Sequence, residues 1–289
     1  MKTPFRAPAL GVKRRATWHS SRVVAPWLLA TVALLTVAAS ARAHDTWFAP
    51  LPAQAGAAPS LALGTGDRFP KQEFAVAAEF LARQGCRSTH RPGTRALKVL
   101  RQTDTALVLR PTPGADTCWA QLKPFDIELP PDKVAIYLDE IRAPVAVRAH
   151  WAGLQARGVP WKERYVKHAR IALTGAAAQQ YSAAGPDMDV DVQLDTRQGL
   201  PRVGQPLHFQ VLSAGLPLAG LPVELRTEHS PLGLWRQTDA EGRVSLPAPL
   251  PGRWVLRGTE LRPSSASPDR WESRFVTLAF EVLPRSVEN

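Results

Sequence analysis

The sequence predicts a mainly β protein with two domains, the first β-rich with a helical insert and the second a β-sandwich. Three observations support this fold class. Short segments that alternate apolar and polar residues are separated by turn residues through most of the chain. Residues 131–173 instead repeat apolar residues at three-to-four-residue spacing. The 246 residues that follow a predicted export signal also exceed the usual size of one domain, about 100–150 residues.

Residues 1–43 have the features of a secretory signal peptide. An apolar stretch at 23–39 is followed by Ala41-Arg42-Ala43, which has the small-x-small form of a cleavage site. Six basic residues precede that stretch: Lys2, Arg6, Lys13, Arg14, Arg15 and Arg22. We expect general secretion to the periplasm or beyond, with cleavage between Ala43 and His44. The alternative is an uncleaved membrane anchor, because about 20 apolar residues span a bilayer.

The net charge of the exported part excludes one class of partner. Residues 1–43 hold seven Lys and Arg and no Asp or Glu, so removing them lowers the formal net charge from +11 to +4. The remaining chain is mildly basic, and we expect no nucleic-acid partner.

The N-terminal domain is predicted over residues 44–180. Segments 60–65, 97–100, 106–110 and 117–122 are predicted strands. The insert at 131–173 is predicted to be helical, with helices near 134–141, at 145–156 and at 161–169. Residues 179–189 are rich in small residues, Gly and Pro and are the predicted linker.

The C-terminal domain is predicted over residues 190–289 as an immunoglobulin-like or transthyretin-like sandwich. Turn signals recur at regular spacing between its short apolar segments, which is typical of such sandwiches. The predicted strands are 190–194, 207–212, 221–227, 235–238, 244–246, 252–261 and 274–283.

The chain has two cysteines, Cys86 and Cys118, and both lie in the exported part. An even number of cysteines in an oxidising compartment predicts one disulfide. A thiolate metal site is the alternative, although the two residues lack the close spacing of a ligand pair.

Cleavage after Ala43 would give His44 two nitrogens for one metal ion, its α-amine and its imidazole Nδ1. Asp45 is a candidate oxygen ligand, and His90, His168 and His229 are candidate further ligands. A nitrogen-rich site suits nickel, cobalt, copper or zinc. We expect His168 at the end of the helix at 161–169 and His208 on the solvent face of a strand. The alternative is that His44 has no role beyond being the residue that export leaves first.

Several segments are similar to a family of periplasmic proteins called domain of unknown function 4198. The similar segments are 44–50, 66–70, 137–140, 162–167 and 204–256, and the last also resembles transthyretin-like and carboxypeptidase-regulatory-like sandwiches. That family includes accessory components of bacterial nickel and cobalt uptake. The resemblance implies an exported, non-catalytic protein that binds a divalent metal or assists its uptake, with an inner-membrane metal transporter as a possible partner.

The chain has no Gly-x-Ser-x-Gly, Gly-x-x-x-x-Gly-Lys-Ser/Thr or His-Glu-x-x-His motif, so we predict no enzyme activity. Two alternatives stay open. One is a cell-envelope interaction or glycan-binding module without metal. The other is a copper oxygenase that uses His44 in a histidine brace.

Overall fold

The computed structural model describes residues 44–52, 58–88, 91–173, 187–196 and 199–285. The predicted signal peptide, most of the predicted linker and His90 lie outside these residues. Within the described part the protein is mainly β, as predicted. It contains a short 3₁₀ helix at Ala78–Phe80 and the helices α1 (Pro131–Glu140) and α2 (Val145–Ala156). Its strands are β1 (Asp45–Pro50), β2 (Leu61–Gly66), β3 (Phe74–Ala75), β4 (Leu81–Ser88), β5 (Arg91–Arg95), β6 (Lys98–Gln102), β7 (Leu107–Arg110), β8 (Thr117–Leu122), β9 (Phe125–Leu129), β10 (Trp161–Ala172), β11 (Val190–Leu194), β12 (Pro206–Ser213), β13 (Leu216–Pro217), β14 (Pro222–Thr227), β15 (Ser230–Gln237), β16 (Arg243–Pro247), β17 (Gly252–Pro263) and β18 (Trp271–Val282).

A nine-stranded central sheet takes strands from both halves of the chain. Its order is β15-β14-β17-β18-β10-β8-β4-β5, and β9 pairs with one end of β10. The halves meet where β10 and β18 run parallel, from the pair Glu163 and Trp271 to the pair Ile171 and Ala279. The predicted division into two domains stays a prediction, since this sheet spans both sides of it.

Smaller layers cover the two faces of the central sheet. Successive side chains of a strand point to opposite faces, so Phe275 and Ala279 of β18 share one face and Val276 and Leu278 share the other. Ala279 packs with the sheet β1-β2-β7-β6, and Phe275 packs with the two helices. The opposite face packs against the sheet formed by β11, β12, β13 and β16. The central strands are therefore buried on both faces.

The predicted helix at 161–169 is wrong, because these residues belong to β10. Trp161 and Glu163 are buried while Lys162 and Arg164 are exposed, which is the two-residue period of a strand. β10 pairs with β9 and β8 on one side and with β18 on the other. The helical part of the insert therefore ends with α2, whose predicted bounds match the structure.

The predicted disulfide is confirmed. Cys86 of β4 and Cys118 of β8 are direct cross-strand neighbours, with Cα atoms 4.0 Å apart, and both are buried in the core. Such a bridge is typical of proteins in oxidising compartments.

The described end of the predicted linker is held by ion pairs. The guanidinium of Arg170 donates to Asp187 at 2.8 Å and to Asp191 at 2.6 Å, and all three side chains are buried. Arg83 donates to Asp189 at 2.6 Å. Residues 187–191 are thereby attached to strands of the N-terminal half.

Candidate functional site

His44 lies immediately before β1, and strand pairing places Asp67 beside it. The antiparallel register pairs Asp45 with Gly66, so the residue before β1 meets the residue after β2. The Nε2 atom of His44 lies 2.9 Å from Oδ1 of Asp67, and the two side chains are 19% and 24% exposed. The main-chain amide of Asp67 donates to the carboxylate of Glu73 at 3.2 Å, which fixes the loop. The imidazole thus has a defined, partly buried position.

This contact determines which imidazole nitrogen is available to a ligand. An ionised carboxylate only accepts hydrogen bonds, so Nε2 carries the proton and donates to Asp67. In the neutral ring, Nδ1 then has a free lone pair. Within the described part of the chain, Nδ1 has no hydrogen-bond partner. Histidines that bind metals usually donate their other ring N–H to a carboxylate or carbonyl in this way.

The main chain at His44 is held by Lys167 of β10. The ammonium Nζ donates to the carbonyl oxygen of His44 at 2.8 Å. Burial lowers the pKa of Lys167 to about 8, against the opposing effect of nearby Asp45. Lys167 therefore still carries its proton at neutral pH. The hydroxyl of Thr277 also donates to the carbonyl oxygen of Thr46 at 2.6 Å, which ties β1 to the central sheet.

The carboxylate of Asp45, a predicted metal ligand, pairs with an arginine in the structure. Asp45 is buried, and its Oδ2 lies 3.0 Å from the guanidinium of Arg257. The same guanidinium donates to Glu224 at 2.7 Å and to the carbonyl oxygen of Glu140 at 3.1 Å. Using Asp45 as a ligand would leave a buried charge of Arg257 less well paired, which is costly. In the structure Asp45 therefore pairs with Arg257 and is not arranged as a metal ligand.

His168 does not point toward His44. It follows Lys167 in β10, so its side chain points to the opposite face of the sheet. Its ring is buried, and Nδ1 donates to the carbonyl oxygen of Phe275 at 2.9 Å. Burial lowers the pKa of His168 to about 4, so the ring is neutral at physiological pH.

The remaining predicted ligands are also not brought to His44 in the described residues. His229 is exposed in the turn between β14 and β15, where its main-chain amide donates to Thr227 at 3.3 Å. His208 is exposed on β12, as predicted. Among the described residues, no group of three or more His, Cys, Asp or Glu side chains could hold a metal ion. The described candidate site thus consists of His44 with its supporting partners.

Asp67 and Lys167 are two polar partners of His44 that the sequence did not predict. Asp67 lies in the segment at 66–70 that contributes to the family resemblance. Pairing the predicted strand at 60–65 with the segment after His44 would have placed Asp67 beside the histidine. The contact of Lys167 with His44 was not predicted, because the sequence pattern favoured a helix over residues 161–169.

Comparison with known proteins adds no relative, since neither a protein-family model nor a curated protein matches this chain. The resemblance to the periplasmic family stays a prediction. None of the helices among the described residues is long and apolar enough to cross a membrane.

Proposed function

We propose that this protein is exported, is cleaved after Ala43, and binds one divalent transition metal ion through His44 without catalysing a reaction. Its role would be to capture the ion or assist its uptake, as the resemblance to nickel and cobalt uptake accessories implies. The observation that supports the proposal best is the 2.9 Å contact between Nε2 of His44 and Asp67, which positions the ring and leaves Nδ1 without a hydrogen-bond partner in the part of the chain that the structure describes.

The two ligands of this residue would be the α-amine and Nδ1. An α-amine has a pKa of about 8, so it loses its proton to a metal far more readily than a lysine does. The bound ion would act as the cargo of the protein. Asp67 would keep the ring in the tautomer that binds metal, and Lys167 would hold the adjacent carbonyl group.

A ligand pair from one residue leaves the other coordination positions of the ion to water or to the molecule that receives the ion. An incomplete protein ligand set suits transfer of the ion. Nickel, cobalt, copper and zinc all accept nitrogen ligands, and copper has the highest intrinsic affinity. Nickel and cobalt are proposed as the cargo because of the family resemblance.

Calorimetric titration with Ni²⁺ and Cu²⁺ tests the proposal. The protein that begins at His44 should bind one ion, and the same protein with its α-amine acetylated should lose the site, because the acetylated nitrogen is an amide and no longer offers a lone pair to the ion. His208→Ala is the matched control, since it removes an exposed histidine away from β1 and should leave the affinity unchanged. Unchanged binding in the acetylated protein would rule out the amine as a ligand. Absence of binding at about micromolar metal by the chain that starts at His44 would favour a metal-free interaction module.

A further inference from the structure

Positive charge is concentrated in one part of the chain. Residues 81–123 contain eight Lys and Arg and two Asp, a net charge of +6, whereas residues 44–289 together carry +4. Two of the eight charges are neutralised, because Arg83 pairs with Asp189 and Arg87 pairs with Asp187. The excess positive charge therefore lies on the other six Lys and Arg side chains of residues 81–123.

Four of these side chains form what we call the cationic surface: Arg95, Lys98, Arg101 and Arg110. All four are exposed, and none has an ion-pair partner among the described residues. Arg95 ends β5, Lys98 begins β6, and Leu97 between them is buried in the core. The four residues therefore lie near the outer edge of two sheets.

The register of β6 and β7 places three of the four charges on one face. Lys98 is paired with Arg110, and Arg101 is paired with Val108. Leu107 and Leu109 point the other way, into the core. Directly opposed side chains have Cβ atoms about 4.5–5.5 Å apart, and like charges in such a pair destabilise the sheet. Folding alone gives no reason to place Lys98 opposite Arg110.

The composition of this region points to one kind of partner. The edge strand β6 and its neighbour β7 present three of these charges on one side of their sheet. Residues 91–110 contain no aromatic residue, so the region lacks the stacking platform with which proteins bind single-stranded nucleic acids. Four exposed cations, with Asp104 as the one acidic residue of this segment, suit an array of phosphate groups. We propose that the cationic surface docks the protein on the anionic phospholipid headgroups of a membrane. This proposal does not depend on the metal site.

Vesicle co-sedimentation of the whole chain from His44 tests the docking. The vesicles contain phosphatidylcholine alone or phosphatidylcholine mixed with phosphatidylglycerol. Each basic residue close to an anionic membrane strengthens binding roughly fivefold, so replacing all four with Gln should weaken binding several hundredfold at low salt. Binding by the unmodified chain should need phosphatidylglycerol and should fall as salt is added.

The matched control replaces four exposed arginines elsewhere with Gln: Arg157, Arg164, Arg262 and Arg270. It removes the same total charge and should bind the anionic vesicles nearly as well as the unmodified chain. Equal losses in the two quadruple variants would show that only net charge matters and would overturn the proposal. The proposal would also fail if the cationic-surface variant still bound vesicles normally.

Two further measurements keep the test decisive. If the quadruple variant does not fold, the double variants Arg95→Gln with Lys98→Gln and Arg101→Gln with Arg110→Gln should each weaken binding roughly thirtyfold. A short DNA duplex is titrated in parallel. Binding to the duplex that depends on these residues, without binding to vesicles, would assign the surface to nucleic acid and overturn the membrane proposal.

Discussion

Acidification should destabilise this protein through His168, a buried neutral histidine of β10. Its pKa in the folded state is about 4, against about 6.5 in an unfolded chain. Between these values the unfolded state binds the proton and the folded state does not. Stability therefore rises with pH in this window and is lost as the pH falls from 6.5 towards 4.

The size of the effect follows from the two pKa values. A shift of this size corresponds to about 3 kcal/mol in the free energy of unfolding. Going from about pH 7 to about pH 4.5 should lower the free energy of unfolding by about 2.5 kcal/mol. The loss is smaller than the full value because some folded molecules already bind the proton at the lower pH. Little solvent screening is expected, since the ring is only 1% exposed.

Urea unfolding at these two pH values measures the effect in three proteins. His168→Asn removes the titrating ring and retains a donor that can face the carbonyl oxygen of Phe275. This variant should be less stable at neutral pH because it loses buried ring volume, yet its stability should fall less on acidification than that of the unmodified protein. His208→Asn is the control, because it makes the same change at an exposed position of β12 and should keep the original pH dependence. If His168→Asn and the unmodified protein lose the same free energy of unfolding, the explanation by burial is refuted.

Three further predictions concern the site and the core. Asp67→Asn should weaken metal binding about 10–100-fold without moving the thermal midpoint greatly, since it removes the carboxylate that orients His44; unchanged affinity in calorimetry would contradict the role of Asp67. Replacing both Cys86 and Cys118 with Ala should lower the free energy of unfolding by about 3–4 kcal/mol, because the bridge closes a loop with a sequence separation of 32. Equal midpoints in denaturant for this variant and the oxidised protein would argue against that estimate. Burial raises the pKa of Glu163, against the opposing effect of hydrogen bonds that Ser273, Trp161 and Tyr137 donate to its carboxyl group. The contribution of Glu163 to the free energy of unfolding is therefore complete below about pH 4.5, and it is lost as the pH rises through the folded-state pKa. With Glu163→Gln, the free energy of unfolding should therefore change less with pH above about pH 4.5. The same dependence on pH in urea unfolding of both proteins would disprove this.

Local patterns predicted part of the fold well. Residues 117–122 are a strand and residues 145–156 are a helix with the predicted bounds. The helix shows its period in the spacing of buried Val147, Trp151 and Leu154, whereas every residue of the strand is buried. The disulfide followed from counting cysteines in a chain that is predicted to be exported. The strand at Phe125–Leu129 was missed, although its alternation of apolar and acidic residues has the two-residue period of a strand.

β10 shows why the remainder could not be predicted. Trp161, Tyr165 and His168 have a spacing that also fits one face of a helix, so the period alone did not decide between the two structures. The strand is stabilised by pairing with β8, β9 and β18, and β18 is about a hundred residues away along the chain. Such pairing depends on tertiary structure that no local pattern contains.

The candidate site had the same dependence on long-range pairing. His44 was identified from its place after a predicted cleavage site. Its contacts with Asp67 and Lys167 depend on the register of β1 with β2 and on the packing of β1 against β10. Asp45 was a plausible ligand by proximity in sequence, and its pairing with Arg257 joins residues more than 200 positions apart.

Native mass spectrometry of the protein purified from the export compartment after growth with nickel determines both the first residue of the chain and the number of bound metal ions. We expect a chain that begins at His44 and carries one metal ion, which a chelator removes. A chain that begins elsewhere, or a mass without metal in the presence of excess nickel, would contradict it.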